Sequence, residues 1–140
     1  MKVVIADDLD LVRQGIEMVL SEASFDCIIL GSFSSGADVL SWAKQNHADI
    51  YLLDISMPGK TGLDVTRELM EIQPDAKVII FSMHDNPEFV AQAIQVGAKG
   101  FLSKQEVQAD IHSAIRVVHK GGLFFSNAEG LEAFFLGKGK

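Results

Sequence analysis

The chain has 140 residues, 48% of them hydrophobic and 22% charged, with a formal net charge of −7 and a single cysteine, Cys27. That length suits one domain whose core buries roughly two-thirds of the unfolded surface, and the composition excludes both disorder and any need for disulfide or metal staples. The acidic balance argues against nonspecific binding of nucleic acid or anionic membrane by this chain alone, and no apolar run approaches the roughly 20 residues of a membrane span.

Apolar runs of strand length alternate with stretches of helical period, the pattern of repeated βα units around a parallel sheet. Val3 to Ala6 is the first strand, and the acids that follow at once, Asp7-Asp8, are unlike a signal peptide, so a cytoplasmic protein is expected. Asp10 is read as the cap of a helix with Val12, Ile16, Val19 and Leu20 on one face. Cys27 to Leu30 is the second strand, its thiol expected to be buried rather than reactive. Ser34 or Ser35 caps the next helix, which carries Ala37, Leu40 and Ala43. Ile50 to Leu53 is the third strand, and its unbroken apolar character predicts burial on both faces. Asp54 then stands at its carboxyl end, before the loop of Pro58, Gly59, Thr61 and Gly62.

Thr61 precedes a helix with Leu63, Val65, Leu69 and Ile72, which Pro74 stops. Val78 to Phe81 is the fourth strand. Asn86 caps a helix with Pro87 in its first position, carrying Val90, Ala93 and Ile94 and ending at Gly97. Phe101 and Leu102 form a short fifth strand, and a final helix with Val107, Ile111, Ala114, Ile115 and Val118 ends at Gly121-Gly122. Residues 1–122 are therefore expected to form the domain. Residues 123–140 keep apolar residues such as Phe124, Phe125 and Leu131 but lose the pattern, and both a short docked helix and an interdomain linker fit them.

Strand ends one, three, four and five each deliver a polar residue: Asp7 and Asp8, Asp54, Ser82, and Lys104. In a doubly wound sheet these ends meet on one edge, where ligands bind. Crowded carboxylates repel one another, and Mg²⁺, held by carboxylates, water and phosphate oxygens, would relieve that repulsion and draw in a phosphoryl group. Asp54 could accept that group as an aspartyl phosphate, with Ser82 donating to a phosphoryl oxygen and Lys104 pairing with another. Taken singly, each has a plainer reading: a helix N-terminus for Asp7-Asp8, a turn for Ser82, a solvated lysine for Lys104. Falling together at strand ends, they read as a phosphoacceptor site. His47, His84, His112 and His119 are in principle metal ligands or phosphate carriers, but His112 and His119, seven apart and on one face of the last helix, form a pair without carboxylate or cysteine partners and are read as surface or interface residues. Met57 and Met83 are read as core or loop packing.

The ordered set of Asp7-Asp8, Asp54-Ile55-Ser56-Met57-Pro58-Gly59, Ser82, Gly97-Ala98-Lys99-Gly100-Phe101 and Lys104 resembles the receiver domain of bacterial two-component response regulators over roughly residues 2–126. Ser82-Met83-His84-Asp85 and Gly100-Phe101-Leu102-Ser103-Lys104 look most like the NarL/FixJ (LuxR-type) class, whose receivers usually precede a DNA-binding helix-turn-helix. The fold expected is α/β, a doubly wound five-stranded parallel sheet of flavodoxin-like order 2-1-3-4-5 with five helices.

The resemblance implies that Asp54 takes phosphate from a sensor histidine kinase or a small phosphodonor, with Mg²⁺ bound by Asp7 or Asp8, Asp54 and the backbone carbonyl of Ser56. It implies that Ser82 and Phe101 are switch residues, that a homodimer forms on phosphorylation, and that DNA is reached only through an output domain absent from this chain. Gln105 stands where many receivers have proline, so a cis peptide bond is not expected after Lys104, and Phe101 replaces the more frequent Tyr or His.

Two other readings are a single-domain receiver acting by protein contact and a Mg²⁺-dependent phosphatase of the haloacid dehalogenase type. The second needs an Asp two residues after the nucleophile, where Ser56 stands.

Overall fold

The computed structural model describes residues 1–22, 24–83, 87–104 and 107–125. Its elements alternate as expected: β1 (Lys2–Ala6), α1 (Asp10–Leu20), β2 (Ile28–Phe33), α2 (Gly36–Ala43), β3 (Ile50–Asp54), α3 (Gly62–Ile72), β4 (Val78–Ser82), α4 (Pro87–Gln95), β5 (Gly100–Ser103), α5 (Val107–His119) and β6 (Phe124–Phe125). All described strand pairs are parallel, and the order is β2-β1-β3-β4-β5-β6. The flavodoxin-like order is therefore present, with a sixth strand added at its edge.

The helices divide between the two faces. Val39 and Leu40 of α2, Val65 and Leu69 of α3, and Val90 and Ala93 of α4 pack on Val4, Tyr51, Leu53, Ile80 and Phe101. Ile16 and Leu20 of α1 and Ile111, Ile115 and Val118 of α5 pack on the alternate strand residues Val3, Ile5, Leu52, Phe81 and Leu102. Every residue of β3 and β4 is buried, which is why their sequences read as continuous apolar runs rather than alternations.

Local signals explain most boundaries. Ser35 caps α2, accepting from the Asp38 N–H. Thr61 and Asp64 form a reciprocal capping box at α3, and the Thr61 N–H holds the exposed Asp64 carboxyl below its usual range. Gly97 and Gly121 take the positive φ that ends α4 and α5.

Besides one-residue extensions of β1, β3, β4 and β5, three elements differ from expectation. The cap of α1 is Leu9, with no side-chain hydrogen bond, and Asp10 is the first helical residue, because the Leu9 carbonyl accepts from the Val12 and Arg13 N–H groups. Strand β2 begins at Ile28 and continues through Gly31 and Ser32 to Phe33, since Ala6 at the end of β1 still pairs with Phe33. Phe124–Phe125 joins β5 in register Gly100↔Phe124 and Phe101↔Phe125 instead of starting a helix or leaving as linker. A side chain at Gly100 would crowd the Phe124 carbonyl at 3.0 Å, so glycine there lets β6 approach. The expectations for His84, Asn86, Gln105, the start of the last helix near Glu106 and the tail beyond Phe125 fall outside the described residues.

Candidate functional site

Parallel pairing places Asp54 opposite Phe81 and Ser82 opposite Ser103, so the carboxyl ends of β1, β3, β4 and β5 form one edge. Strand alternation then sorts the candidates. Asp7, Asp54 and Lys104 continue the parity of Ile5, Leu52 and Leu102, which face α1 and α5. Ser82 and Phe101 continue the parity of Ile80, on the face of α2, α3 and α4.

The first set is tightly joined. Lys104 Nζ lies 3.1 Å from Asp54 Oδ2 and 3.0 Å from Asp7 Oδ2. Its side chain is only 10% exposed, and its ammonium sits 5.6 Å from the centroid of the Phe81 ring. Asp54 Oδ1 accepts from the Ser56 N–H at 3.2 Å, and Asp7 Oδ1 accepts from the Leu9 N–H at 2.9 Å. Asp7 and Asp54 are buried while Asp8 is exposed, and one carboxylate oxygen from each of the three lies within 4.8 Å of the others. Such a cluster can hold a metal ion.

The electrostatics of this cluster are unbalanced. Lys104 pairs with two of the three clustered carboxylates, those of Asp7 and Asp54, and Asp7 Oδ2, although at ion-pair distance from Lys104, has no hydrogen bond aligned on it among the described residues. Burial, with the neighbouring Asp7 charge, pushes the Asp54 carboxyl up from 3.8 to about 6 against the pull of Ser56 and Lys104. For Lys104, burial works to lower the pKa, but its pairing with the Asp7 and Asp54 carboxylates prevails and the net shift is upward. A hard divalent cation bound by oxygen is the kind of group that these donors accommodate, since it would meet the unaligned Asp7 oxygen and neutralise the surplus charge.

The loop after β3 is shaped for the same edge. Gly59 follows Pro58 with φ 78°, as in a type II turn. The Gly62 N–H donates to the Ile55 carbonyl, and a Cβ at Gly62 would collide with the Asp54 carbonyl oxygen at 2.3 Å. Glycine at 62 thus lets α3 start directly against the Asp54 backbone. An open cavity of about 280 Å³, lined by Leu11, Gly15, Phe81, Met83 and Lys104 among others, reaches the site from the α1 side.

Of the residues predicted from sequence, the structure brings together Asp7, Asp8, Asp54 and Lys104, with the Ser56 backbone beside Asp54. Ser82 is buried at the end of β4, and its carbonyl accepts the Lys104 backbone N–H at 2.7 Å. Phe101 is fully buried, in register with Phe125. His112 is an interface residue between α1 and α5, stacked on Phe25 at 4.3 Å with Nε2 2.8 Å from the Val19 carbonyl. Met57 is core, Met83 is an exposed loop residue, and burial pushes the half-buried Cys27 thiol up.

Two contributors escape a reading by residue type. Phe81 supplies the ring face under Lys104, yet in sequence it is one more apolar strand residue. Arg13 donates from Nη1 to the Asp7 carbonyl and from Nη2 to the Asp10 carboxylate. Its only signal is a spacing of six from Asp7, which on its own means little.

A family model described as the response regulator receiver domain matches residues 3–116. The response regulator UvrY of Escherichia coli K12 is 35% identical over 125 residues, covering 89% of this chain and 57% of UvrY. The chain therefore spans little more than half of that relative's length. The signal receiver domain of NarL from Mycobacterium tuberculosis is 35% identical with a TM-score of 0.80, covering 86% of this chain and 96% of that one. A LuxR-family two-component response regulator from Aurantimonas sp. SI85-9A1 shares the fold with a TM-score of 0.87 at 21% identity, covering 99% and 98% of the two chains.

Proposed function

The chain belongs to the response regulator receiver domains, of the NarL/FixJ class, and we propose that its phosphorylation-activated switch is thrown at Asp54 by a sensor histidine kinase. The observation that carries this reading is the buried Asp54 carboxylate, tied to Asp7 through Lys104 within an acidic cluster at the strand edge.

Mg²⁺ would be held by Asp7 or Asp8, Asp54 and the backbone carbonyl of Ser56, and when bound it supplies charge neutralisation at the transferring phosphorus. The protein's own residues do the rest. An Asp54 carboxylate oxygen attacks phosphorus and displaces the donor's leaving group. Lys104, already at the site, pairs with a phosphoryl oxygen, and the Ser82 hydroxyl donates to another. Ser82 and Phe101 lie on the α4 side of the sheet, so a phosphoryl group on Asp54 is read there through the β4 and β5 strand ends, biasing a two-state equilibrium. Phosphorylation favours a homodimer.

Among relatives of this class the receiver accompanies a longer chain, and DNA is reached through that output segment. Among the described residues no helix is long and apolar enough to cross a membrane.

The test is incorporation of labelled phosphate from acetyl phosphate with Mg²⁺. Wild type is expected to acquire an acyl phosphate that hydroxylamine removes, and Asp54→Asn is expected to acquire none. Equal incorporation in both would remove Asp54 from the mechanism. Turnover of a generic phosphomonoester would favour a phosphatase instead.

A further inference from the structure

We propose that Arg13 is a positioning residue for metal binding, holding the Asp7–Asp8 peptide so that both carboxylates converge on Asp54. This rests on the reading of Asp7, Asp8 and Asp54 as the Mg²⁺ site.

The β1 ladder ends at Ala6, which pairs with Phe33 on one side and Leu53 on the other. The Asp7 carbonyl lies beyond that ladder and accepts from Arg13 Nη1. That carbonyl is one side of the peptide plane joining Asp7 to Asp8. Fixing it fixes ψ of Asp7 and φ of Asp8, and hence the direction in which the Asp8 side chain leaves the backbone. Asp7 itself is held by the Leu9 N–H on Oδ1 and by Lys104 near Oδ2. Asp8 is exposed, and its place in the cluster depends on the backbone that carries it.

The planar guanidinium makes this hold a rigid one. Its second nitrogen binds the Asp10 carboxylate in the first turn of α1, so the fork braces the strand end against the helix it leads into. The Arg13 side chain is 15% exposed and that of Asp10 is 76% exposed. The arm on the Asp7 carbonyl is therefore the sheltered one, and the arm on Asp10 is a surface pair of little energy on its own.

Charge and geometry make opposite forecasts for this residue. A cation on the Asp7 carbonyl repels a metal arriving at the strand end, so a role through charge alone means that removing Arg13 tightens Mg²⁺ binding. A role in holding the loop means that removal weakens it, as loss of partners that orient metal ligands commonly does, by on the order of tenfold. The sign of the change decides between them.

The experiment is calorimetric titration of Mg²⁺ into the 140-residue chain as wild type, Arg13→Gln, Arg13→Lys and Asp54→Asn, with thermal unfolding of each in chelator. Arg13→Gln is expected to weaken Mg²⁺ about tenfold, and Arg13→Lys, which keeps the charge without the fork, to weaken it less. Unchanged or tighter binding in Arg13→Gln overturns the proposal. Should Arg13→Gln fail to fold in chelator, Arg13→Lys carries the test, and wild-type affinity there overturns it. Failure of wild type to bind Mg²⁺, or wild-type affinity in Asp54→Asn, would instead defeat the underlying reading of the metal site, and this proposal with it.

Discussion

Tyr51 and Asp54 stand three residues apart on β3, both fully or nearly buried, and the two ends of the strand treat a buried polar atom in opposite ways. At the amino end the Tyr51 hydroxyl donates to Gln73 Oε1 at 2.7 Å, and Gln73 Nε2 donates to the Ala43 and Asn46 carbonyls at 2.8 and 2.7 Å. The group is neutral, each of these atoms has a partner, and it ties β3 to the ends of α2 and α3. At the carboxyl end Asp54 and Asp7 are charged, share one ammonium, and leave Asp7 Oδ2 without an aligned hydrogen bond. A satisfied neutral network stabilises a fold, whereas a crowded carboxylate cluster costs stability until something binds it. The same strand thus carries a joint at one end and a receptor at the other.

The largest effect should come from Lys104→Met. Removing the ammonium leaves two buried carboxylates facing each other, and at neutral pH the metal-free protein should lose about 3–4 kcal/mol in urea unfolding. A loss below about 1 kcal/mol would mean that the carboxylates at this end are far better solvated than their burial implies. Gln73→Ala should cost about 3 kcal/mol, because it strips the Tyr51 hydroxyl and two carbonyls of their partners at once. That cost should be the same with and without Mg²⁺, which would separate the two ends of β3 cleanly.

Asp54→Asn should act in the other direction. The Asp54 pKa is raised to about 6 from 3.8, so between those values the folded state holds a proton that the unfolded state has lost. The penalty for ionising Asp54 in the fold is absent at low pH, grows as pH rises through that window, and is complete above it. In chelator, Asp54→Asn should therefore match wild type near pH 4 and exceed it by about 2 kcal/mol above roughly pH 7. Saturating Mg²⁺ should shrink the gap by stabilising wild type alone. A gap that does not depend on pH would detach the stabilisation from Asp54 ionisation. The smallest effect belongs to Tyr51→Phe, which leaves Gln73 Oε1 without its donor and should cost about 1 kcal/mol, measured by the urea midpoint at unchanged m-value.

How far the sequence could be read depends on what each residue needed to show itself. Strands β1, β3 and β4 were legible because burial on both faces demands unbroken apolar runs. Helices α2 and α3 were legible from Ser35 and Thr61, whose side chains satisfy their own neighbours' N–H groups. The far half of β2 was not, because Gly31 and Ser32 have little strand propensity and are held there by pairing with β1. Strand β6 has two residues, too few for a pattern, and exists through the open edge of β5. Asp7 and Asp8 read alike as a pair of acids, yet one is buried beside Lys104 and the other faces solvent, a difference set by strand parity at the end of β1. Arg13 showed only a spacing of six from Asp7, which does not mark it out, since its sheltered partner is a backbone carbonyl that any residue carries.

By itself, then, the order of residues determined the alternation of strands and helices, the placing of Asp7, Asp8, Asp54, Ser82 and Lys104 at strand ends, and the turns that free those ends, because periodicity and capping are local properties of a chain. Only the tertiary structure decided which of those groups share a charge, which face the other side of the sheet, and which carboxylate oxygen is left for a ligand. Those outcomes depend on register, on strand parity and on the desolvation of groups about fifty residues apart in sequence, and none of the three exists until the sheet has formed.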